Sequence, residues 1–510
     1  MYHLLMKQAP ENHVEELLEV NQKLSLENEY LKERVQLLLA QLYGKKSEKM
    51  PLHSADQLSF LESELERLLG HEQGKEASIK VAAHQCKSSG RKALPEELER
   101  IEVLHDLPEE EKKCHCGSEL TRIGEETSEQ LDYIPAKLQV LRHVRPKYAC
   151  KACEGLDGKG STVKIAPPPA QMLPKSMASA GLLAQIITAK FVDALPFYRQ
   201  EQQFKRLGYE ISRSNMAQWT IQLGEKLERL LYILHQELKL APLLHIDETS
   251  LQVLKEPGRS PSSKSYMWVL RTGASSKVQG VYFHYSPSRS GQVAQSLLDG
   301  FQGLVLSDGY GGYDFIDPER HAGCWAHSRR KFVEAAKIKG KNQGFAALVV
   351  EQIGKLYQIE RDSKELSPKD LLNQRQEQSL PLLNSLHQLL LDKEPKVPPK
   401  SLLGKAIAYS LRHWDGLSLF LEKPDLPLDN NLAENSIRPY VVGRKNWLFS
   451  NSQAGARASA ALYSLIETAK ANGLNPNIYL KTLFERFPKV EGDNQIKELL
   501  PCYINLDMKE

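Results

Sequence analysis

Leu243-Leu244-His245-Ile246-Asp247-Glu248-Thr249 is the stretch from which the fold is read. A short apolar run ends in a carboxylate, and Ser250-Leu251-Gln252-Val253-Leu254 then resumes the two-residue alternation of a strand. A strand that delivers an aspartate into a site is one way to build a metal-dependent phosphoryl-transfer centre. An aspartate that merely forms the turn after a strand has the same local pattern. The choice between them depends on what other acids, basic surfaces and modules the chain carries.

Downstream, strands are predicted over residues 243–246, 266–271, 280–285 and 304–307, with a helix near 292–298 before the last of them. A short segment over 321–325 leads into a helix carrying His327. Three hairpin-like strands, a helix and a further strand predict a ribonuclease-H-like α/β core, in which the ends of the first and fourth strands lie side by side. Asp247 stands at the first end. Asp308 stands at the fourth, in Leu304-Val305-Leu306-Ser307-Asp308-Gly309-Tyr310. Two carboxylates meeting on adjacent strands repel each other unless a cation lies between them. Hard oxygen donors suit Mg²⁺ or Mn²⁺, and two such ions about 3.5–4 Å apart can serve the attacking and leaving oxygens of a phosphoryl transfer.

The candidate third acid is Glu434, in Leu428-Asp429-Asn430-Asn431-Leu432-Ala433-Glu434-Asn435-Ser436-Ile437-Arg438-Pro439. Asn431 can cap a helix here, with Glu434 on its first turn and able to face back to the strand ends. Equally, Glu434 three residues after its cap can close a capping box onto a backbone N–H. The residues C-terminal to Glu434 favour a site: Arg438, Arg444, Lys445 and Arg457 alternate with Tyr440 and Trp447, and no acid falls between Glu434 and Glu467. Basic residues interleaved with aromatics suit a nucleic-acid backbone and splayed bases.

The rest of the chain is modular. Its 510 residues suffice for three or four domains, its net charge is only +3, and its 41% hydrophobic and 26% charged content are those of an ordinary soluble protein. No apolar run is long enough to predict a membrane span, and Met1 to Pro10 does not resemble a secretory signal. Over residues 1–45, Leu17, Leu24, Leu31 and Leu38 recur every seven residues, with Val14, Asn21, Asn28, Val35 and Leu42 on the other seam position. That pattern predicts a parallel two-stranded coiled coil and hence a dimer or higher oligomer; a single amphipathic helix packed on its own domain is the alternative. Residues 46–100 read as a linker with one short helix over 59–69.

Seven cysteines, four of them in two tight pairs, predict metal binding in a reducing cytosol rather than disulfides. Cys114, Cys116, Cys150 and Cys153, within a module over 101–165, are the expected ligands of a structural Zn²⁺. The first pair is C-x-C, so His115 is an alternative ligand. Between the pairs, Arg142, Arg145 and Lys147 lie on a stretch without acids, either a phosphate-contact surface or a solvated basic strand. After Pro167-Pro168-Pro169, helices over 179–192, 196–207 and from Asn215, the last capped by Ser214, outline a helix-turn-helix within 170–238. Lys205, Arg206 and Arg213 would line its DNA side, although any helical hairpin with a Gly turn has this outline. The catalytic core is expected over 239–338 and 422–470, split by an all-helical insertion over 339–421 and followed by a helical tail over 471–510. Pro368 and Pro395, Pro398 and Pro399 break the insertion into helices over 345–360, 370–391 and 401–420.

The blocks His245-Ile246-Asp247-Glu248-Thr249, Ser307-Asp308-Gly309-Tyr310, Cys324-Trp325-Ala326-His327-Ser328-Arg329-Arg330-Lys331-Phe332 and Asp429-Asn430-Asn431-Leu432-Ala433-Glu434-Asn435 resemble those of the IS66-type insertion-sequence transposases. The zipper, the cysteine pairs and the closing helices follow the same layout. The resemblance implies a DDE mechanism carried by Asp247, Asp308 and Glu434 with two Mg²⁺ or Mn²⁺ ions, with Cys324 and His327 supporting the site. Arg329 and Arg330, in the same block, are expected on the DNA. The resemblance further implies a cytoplasmic, nucleoid-associated protein that acts on double-stranded transposon ends and target DNA and works with small accessory proteins of the same element. Two rivals are a ribonuclease-H-like nuclease or resolvase that cuts without joining, and a catalytically silent zinc-and-zipper DNA-binding regulator.

Overall fold

The computed structural model describes residues 17–35, 38, 101–102, 130, 137–149, 163–338 and 344–506. The chain divides into two compact units, Met1–His71 with Arg145–Glu510 and Glu72–Val144. The four expected zinc ligands and the expected helix over 59–69 lie outside the described residues. Residues 17–35 form helix α1, with Leu17, Leu24 and Leu31 each more than half exposed along it. Two three-residue strands, β1 (Lys147–Ala149) and β2 (Val163–Ile165), pair antiparallel.

Four further helices precede the main sheet: α2 (Ala180–Phe191), α3 (Phe197–Arg206), α4 (Arg213–Lys226) and α5 (Glu228–Leu238). The cap of α4 is Ser212, whose hydroxyl accepts from Asn215 N at 3.2 Å, and not the expected Ser214. Ser212 wins because it still has extended backbone, whereas Ser214 already lies inside the helix and is exposed. Among the expected DNA-facing side chains, Lys205, Arg206 and Arg213 are all exposed.

The sheet is built on β3 (Leu243–Lys255), with β4 (Lys264–Thr272), β5 (Val281–Ser286), β6 (Leu304–Leu306) and β7 (His321–Ala322) in the order β5-β4-β3-β6-β7. The first three strands run antiparallel, and α6 (Gly291–Leu298) returns the chain so that β6 lies parallel to β3. The expected strand ending at Ile246 is in fact 13 residues long. Its alternation continues past the acids, where Leu251 and Val253 are buried and the pairing with β4 runs to Gln252↔Lys264. Asp247 is therefore inside a strand and not at its end. Only the parallel ladder stops early, at His245↔Leu306.

Edge strand β5 is closed by a helix rather than by another strand. In α14 (Gln453–Ala471), Ser464 Oγ accepts from Phe283 N at 2.7 Å and Thr468 Oγ1 accepts from Val281 N at 3.0 Å. Free strand donors are thus satisfied by side chains and the edge is covered. On another face α14 packs tightly on α4, where a Cβ on Gly224 would sit 2.7 Å from the Ala458 backbone.

Residues 345–418 are helical, and their apolar core is continuous with Leu243, Leu306 and Ala322 of the sheet. They comprise α8 (Phe345–Asp362), α9 (Pro368–Gln374), α10 (Leu380–Lys393), α11 (Leu402–Arg412) and α12 (Trp414–Ser418), entered from α7 (Trp325–Ile338). Pro368 occupies the first turn of α9, where its missing N–H costs nothing. Buried Arg375 pairs with Glu360 at 2.6 Å and donates to the carbonyls of Phe420, Lys423 and Leu426. That fan of bonds fixes the segment leading into α13 (Asn431–Trp447), which carries Glu434. After α13 come β8 (Ser450–Ser452), paired parallel with the far end of β3, then α14, α15 (Pro476–Arg486) and α16 (Asp493–Lys497).

Candidate active site

Asp247 and Asp308 are delivered by neighbouring parallel strands. Pairs Leu243↔Leu304 to His245↔Leu306 set the register, so each acid stands two residues beyond the last pair. Asp247 Oδ1 accepts from Glu248 N at 2.8 Å, and Asp308 Oδ1 accepts from Tyr310 N at 3.0 Å. Burial, then the negative charges of Glu248, Glu434 and Asp308, push the Asp247 carboxyl up to about 8. Asp247 therefore lies within electrostatic reach of both other expected acids, Asp308 and Glu434.

Glu434 does not close a capping box. The N-cap residue is Asn430, not Asn431, and no side chain caps the helix there. Asn431 instead hydrogen-bonds Asp429 through both its backbone and its side chain. The Glu434 carboxylate lies 3.7 Å from His327 Nε2 and 3.4 Å from Arg330 Nη2, and its Oε1 has no hydrogen-bond partner. Cys324 Sγ, a His327 ring nitrogen and a Glu434 oxygen lie within 4.8 Å of one another. Burial raises the Cys324 thiol far above its ordinary value, and it accepts from Asn430 N at 3.3 Å. Burial also lowers His327, against the opposing pull of Glu434.

Asn430, which local pattern did not single out, holds these parts together. Fully buried, it donates Nδ2 to Ile246 O at 2.9 Å, the first β3 carbonyl beyond the parallel ladder. Its Oδ1 faces His245 Nδ1 at 2.9 Å, so that ring nitrogen carries the hydrogen. His245 is neutral, because burial lowers it to about 4. The Asn430 carbonyl accepts from Glu434 N, closing the first helical turn.

Glu248, on the opposite side of β3 from Asp247, accepts from Arg289 Nε at 2.7 Å and from the Tyr313 hydroxyl at 2.5 Å. Arg289 lies 3.9 Å over the Tyr310 ring and feels the charge of Asp308. Thr249 accepts from Arg444 Nη1 at 3.2 Å. Each residue of the Asp247-Glu248-Thr249 run thus has a different task. The insertion closes one wall: a Cβ on Gly309 would meet the Tyr409 ring at 2.5 Å and His413 at 2.7 Å, so only glycine fits beside Asp308.

Of the expected DNA contacts, Arg142, Arg145, Lys147, Arg330, Lys445 and Arg457 are exposed, and Arg438 and Arg444 half-buried. Arg329 is a correction. It is only 4% exposed and lies close enough to Tyr357 to act on its hydroxyl, which puts it inside the protein. On α7 it is one residue, about 100°, round from Arg330, and the helix's buried face takes it.

Comparison with known proteins matches residues 175–458 to the transposase IS66 family. The chain belongs to the IS66 transposase family. Further IS66 elements match alongside: the zinc-finger binding domain over 111–154, the C-terminal element over 464–502 and a leucine-zipper element described as transposase C of IS166 homeodomain over 30–103. Among relatives, uncharacterized protein y4jD of Sinorhizobium fredii (strain NBRC 101917 / NGR234) is 36% identical over 80% of this chain and 81% of its own. Uncharacterized protein y4qI of the same strain is 32% identical over 90% and 86%. The Drosophila P element transposase strand transfer complex aligns with 57% of this IS66 chain and 92% of its own, at 12% identity and a TM-score of 0.34. Among the described residues no helix is long and apolar enough to cross a membrane.

Proposed function

We propose that this IS66 transposase cuts the ends of its element and joins them to target DNA at one site formed by Asp247, Asp308 and Glu434. The observation that carries this is the Asp247 carboxyl, pushed up to about 8 by burial and by acidic neighbours that include Glu434 and Asp308. The sheet order supports a ribonuclease-H-like core, in which two of the acids are delivered by adjacent parallel strands.

The donor set fits a hard divalent cation. Oxygen ligands predominate, the acids repel one another, and Glu434 Oε1 is buried without a hydrogen-bond partner. Asp247, Asp308 and Glu434 would hold Mg²⁺ or Mn²⁺, as a pair of ions, which would activate the attacking oxygen and stabilise the leaving one. Cys324 and His327 do not belong to that set. The protonated Cys324 thiol and the His327 imidazole instead brace Glu434 and the turn before it.

DNA would approach across exposed Arg330 and along α13, whose Arg438, Arg444 and Lys445 extend away from Glu434, with Lys205, Arg206 and Arg213 of the helical pair binding the terminal repeat. A structural Zn²⁺ on Cys114, Cys116, Cys150 and Cys153 would fold the finger, and the leucines of α1 would pair two chains. The test is strand transfer. With precut ends, the wild-type chain should give joined product, whereas a cutting-only nuclease would give none.

A further inference from the structure

We propose that Trp447-Leu448-Phe449, at the C-terminal end of the helix carrying Glu434, forms a rigid apolar wedge that enters a base step of the bound duplex. This rests on the assignment of DNA as substrate and specifies how one part of the protein grips it. Leu448 has φ 68° and ψ −47°, and Phe449 N donates to Trp447 O at 2.8 Å. Together these make a γ-turn of the rare, strained kind. A leucine has no intrinsic reason to adopt that conformation, and it persists only where its surroundings impose it.

The surroundings do so from both sides. Before the turn, Trp447 is anchored, with Lys190 Nζ 4.0 Å over its ring and Phe191 edge-on at 6.2 Å, while Asn446 Nδ2 donates to Ala194 O at 2.8 Å. After it, Ser450 pairs with Val253 in β3. What this clamp presents is apolar: Leu448 is 67% exposed and Phe449 42%. Consecutive large hydrophobics held outward by strain do not serve the core formed by the described residues.

Their flanks say what they meet. Arg444 and Lys445 precede the turn by one helical turn or less, and no acid lies between Glu434 and Glu467. That charge suits a polyanion and disfavours an apolar protein or lipid surface of mixed charge. Apolar side chains bordered by arginine and lysine are the means by which proteins unstack and kink a duplex. Val253 stands six residues along β3 from Asp247, about 20 Å of strand. At about 3.4 Å per base pair, the wedge would enter within about six steps of the cleavage point.

The experiment uses the full chain and duplexes carrying the terminal repeat, with 2-aminopurine placed singly at each position across about ten base pairs on either side of the cut. Wild-type protein should raise the emission at one step. Phe449→Ala and Leu448→Gly should abolish that rise and weaken binding about ten-fold, with the slope of affinity against salt unchanged. Both positions are exposed, so circular dichroism should match wild type; Phe449→Ala should melt with wild type, and Leu448→Gly, relieved of the positive-φ strain, at or above it. Salt-dependent binding by wild type with no rise at any position would overturn the wedge alone. Unchanged emission in both variants would do the same. No binding to any duplex would overturn the DNA assignment and the wedge with it.

Discussion

Asn430 and Ile246 are joined by a 2.9 Å hydrogen bond from the Asn430 amide to the Ile246 carbonyl, and this bond ties the helix of Glu434 to the strand of Asp247. It takes over where the β3–β6 ladder ends, so a side chain does the work of a missing strand.

Asn430→Ala should therefore lower cleavage about 100-fold while end binding changes little, and cost about 1–3 kcal/mol for the buried partners left unpaired. Asn430→Asp gives the sharper result. A protonated aspartic acid can donate to Ile246 O and accept from His245, whereas the carboxylate opposes the carbonyl. Relative to wild type, its cleavage should improve as pH falls. A constant ratio across pH would contradict the role assigned to the amide.

Asp247 makes the metal-free protein pH-sensitive. Its carboxyl is raised to about 8 in the fold, against about 3.9 in an unfolded chain. The folded state thus binds the proton more tightly, and the group's contribution to stability is greatest below about pH 4 and declines as pH rises to about 8. Asp247→Asn should raise the stability of the metal-free chain at pH 8 by about 1–3 kcal/mol, after allowing for solvent screening, and leave it unchanged near pH 4. Mg²⁺ should raise the wild-type melting temperature more at pH 8 than at pH 5, and do little for Asp247→Asn. Melting curves with and without Mg²⁺ at both pH values decide it.

Glu248 holds Arg289 beside Asp308 through the bond to its Nε. Glu248→Ala frees that guanidinium and removes the acceptor of the Tyr313 hydroxyl. Cleavage should fall about 10- to 100-fold, with end affinity within about three-fold of wild type. An unimpaired rate would show that Arg289 needs no such holder.

Two arginines that look alike in sequence should behave differently. Arg444→Ala removes a half-exposed cation on the proposed DNA path, so the slope of log affinity against log salt should shrink by about 1. Arg329→Met touches a buried position and should lower stability without altering that slope. Binding titrations at several salt concentrations, with melting curves, separate the two.

The alternation around Asp247 and the Gly turn after Asp308 are enough to find the two strands, because period-two burial is a local signal, while their adjacency follows only from the expected ribonuclease-H-like topology. Glu434 is legible only in outline. Asn430 and Asn431 are the same residue type, and which one begins the helix is decided by His245, Ile246 and Cys324, distant in sequence. The same holds for Arg329 and Arg330, where the burial of one depends on helices of the insertion. The Leu448 strain leaves no trace in composition, since leucine ordinarily avoids positive φ. Sequence periodicity misses the contacts between segments far apart in the chain.

The most direct measurement is Mg²⁺-dependent cleavage of duplex DNA carrying the terminal repeat, by wild type and by Asp247→Asn, Asp308→Asn and Glu434→Gln singly. Each variant should bind the ends with wild-type affinity and cut at least about 1,000-fold more slowly. Wild-type cleavage by any one of the three would remove that acid from the site and contradict the three-carboxylate centre.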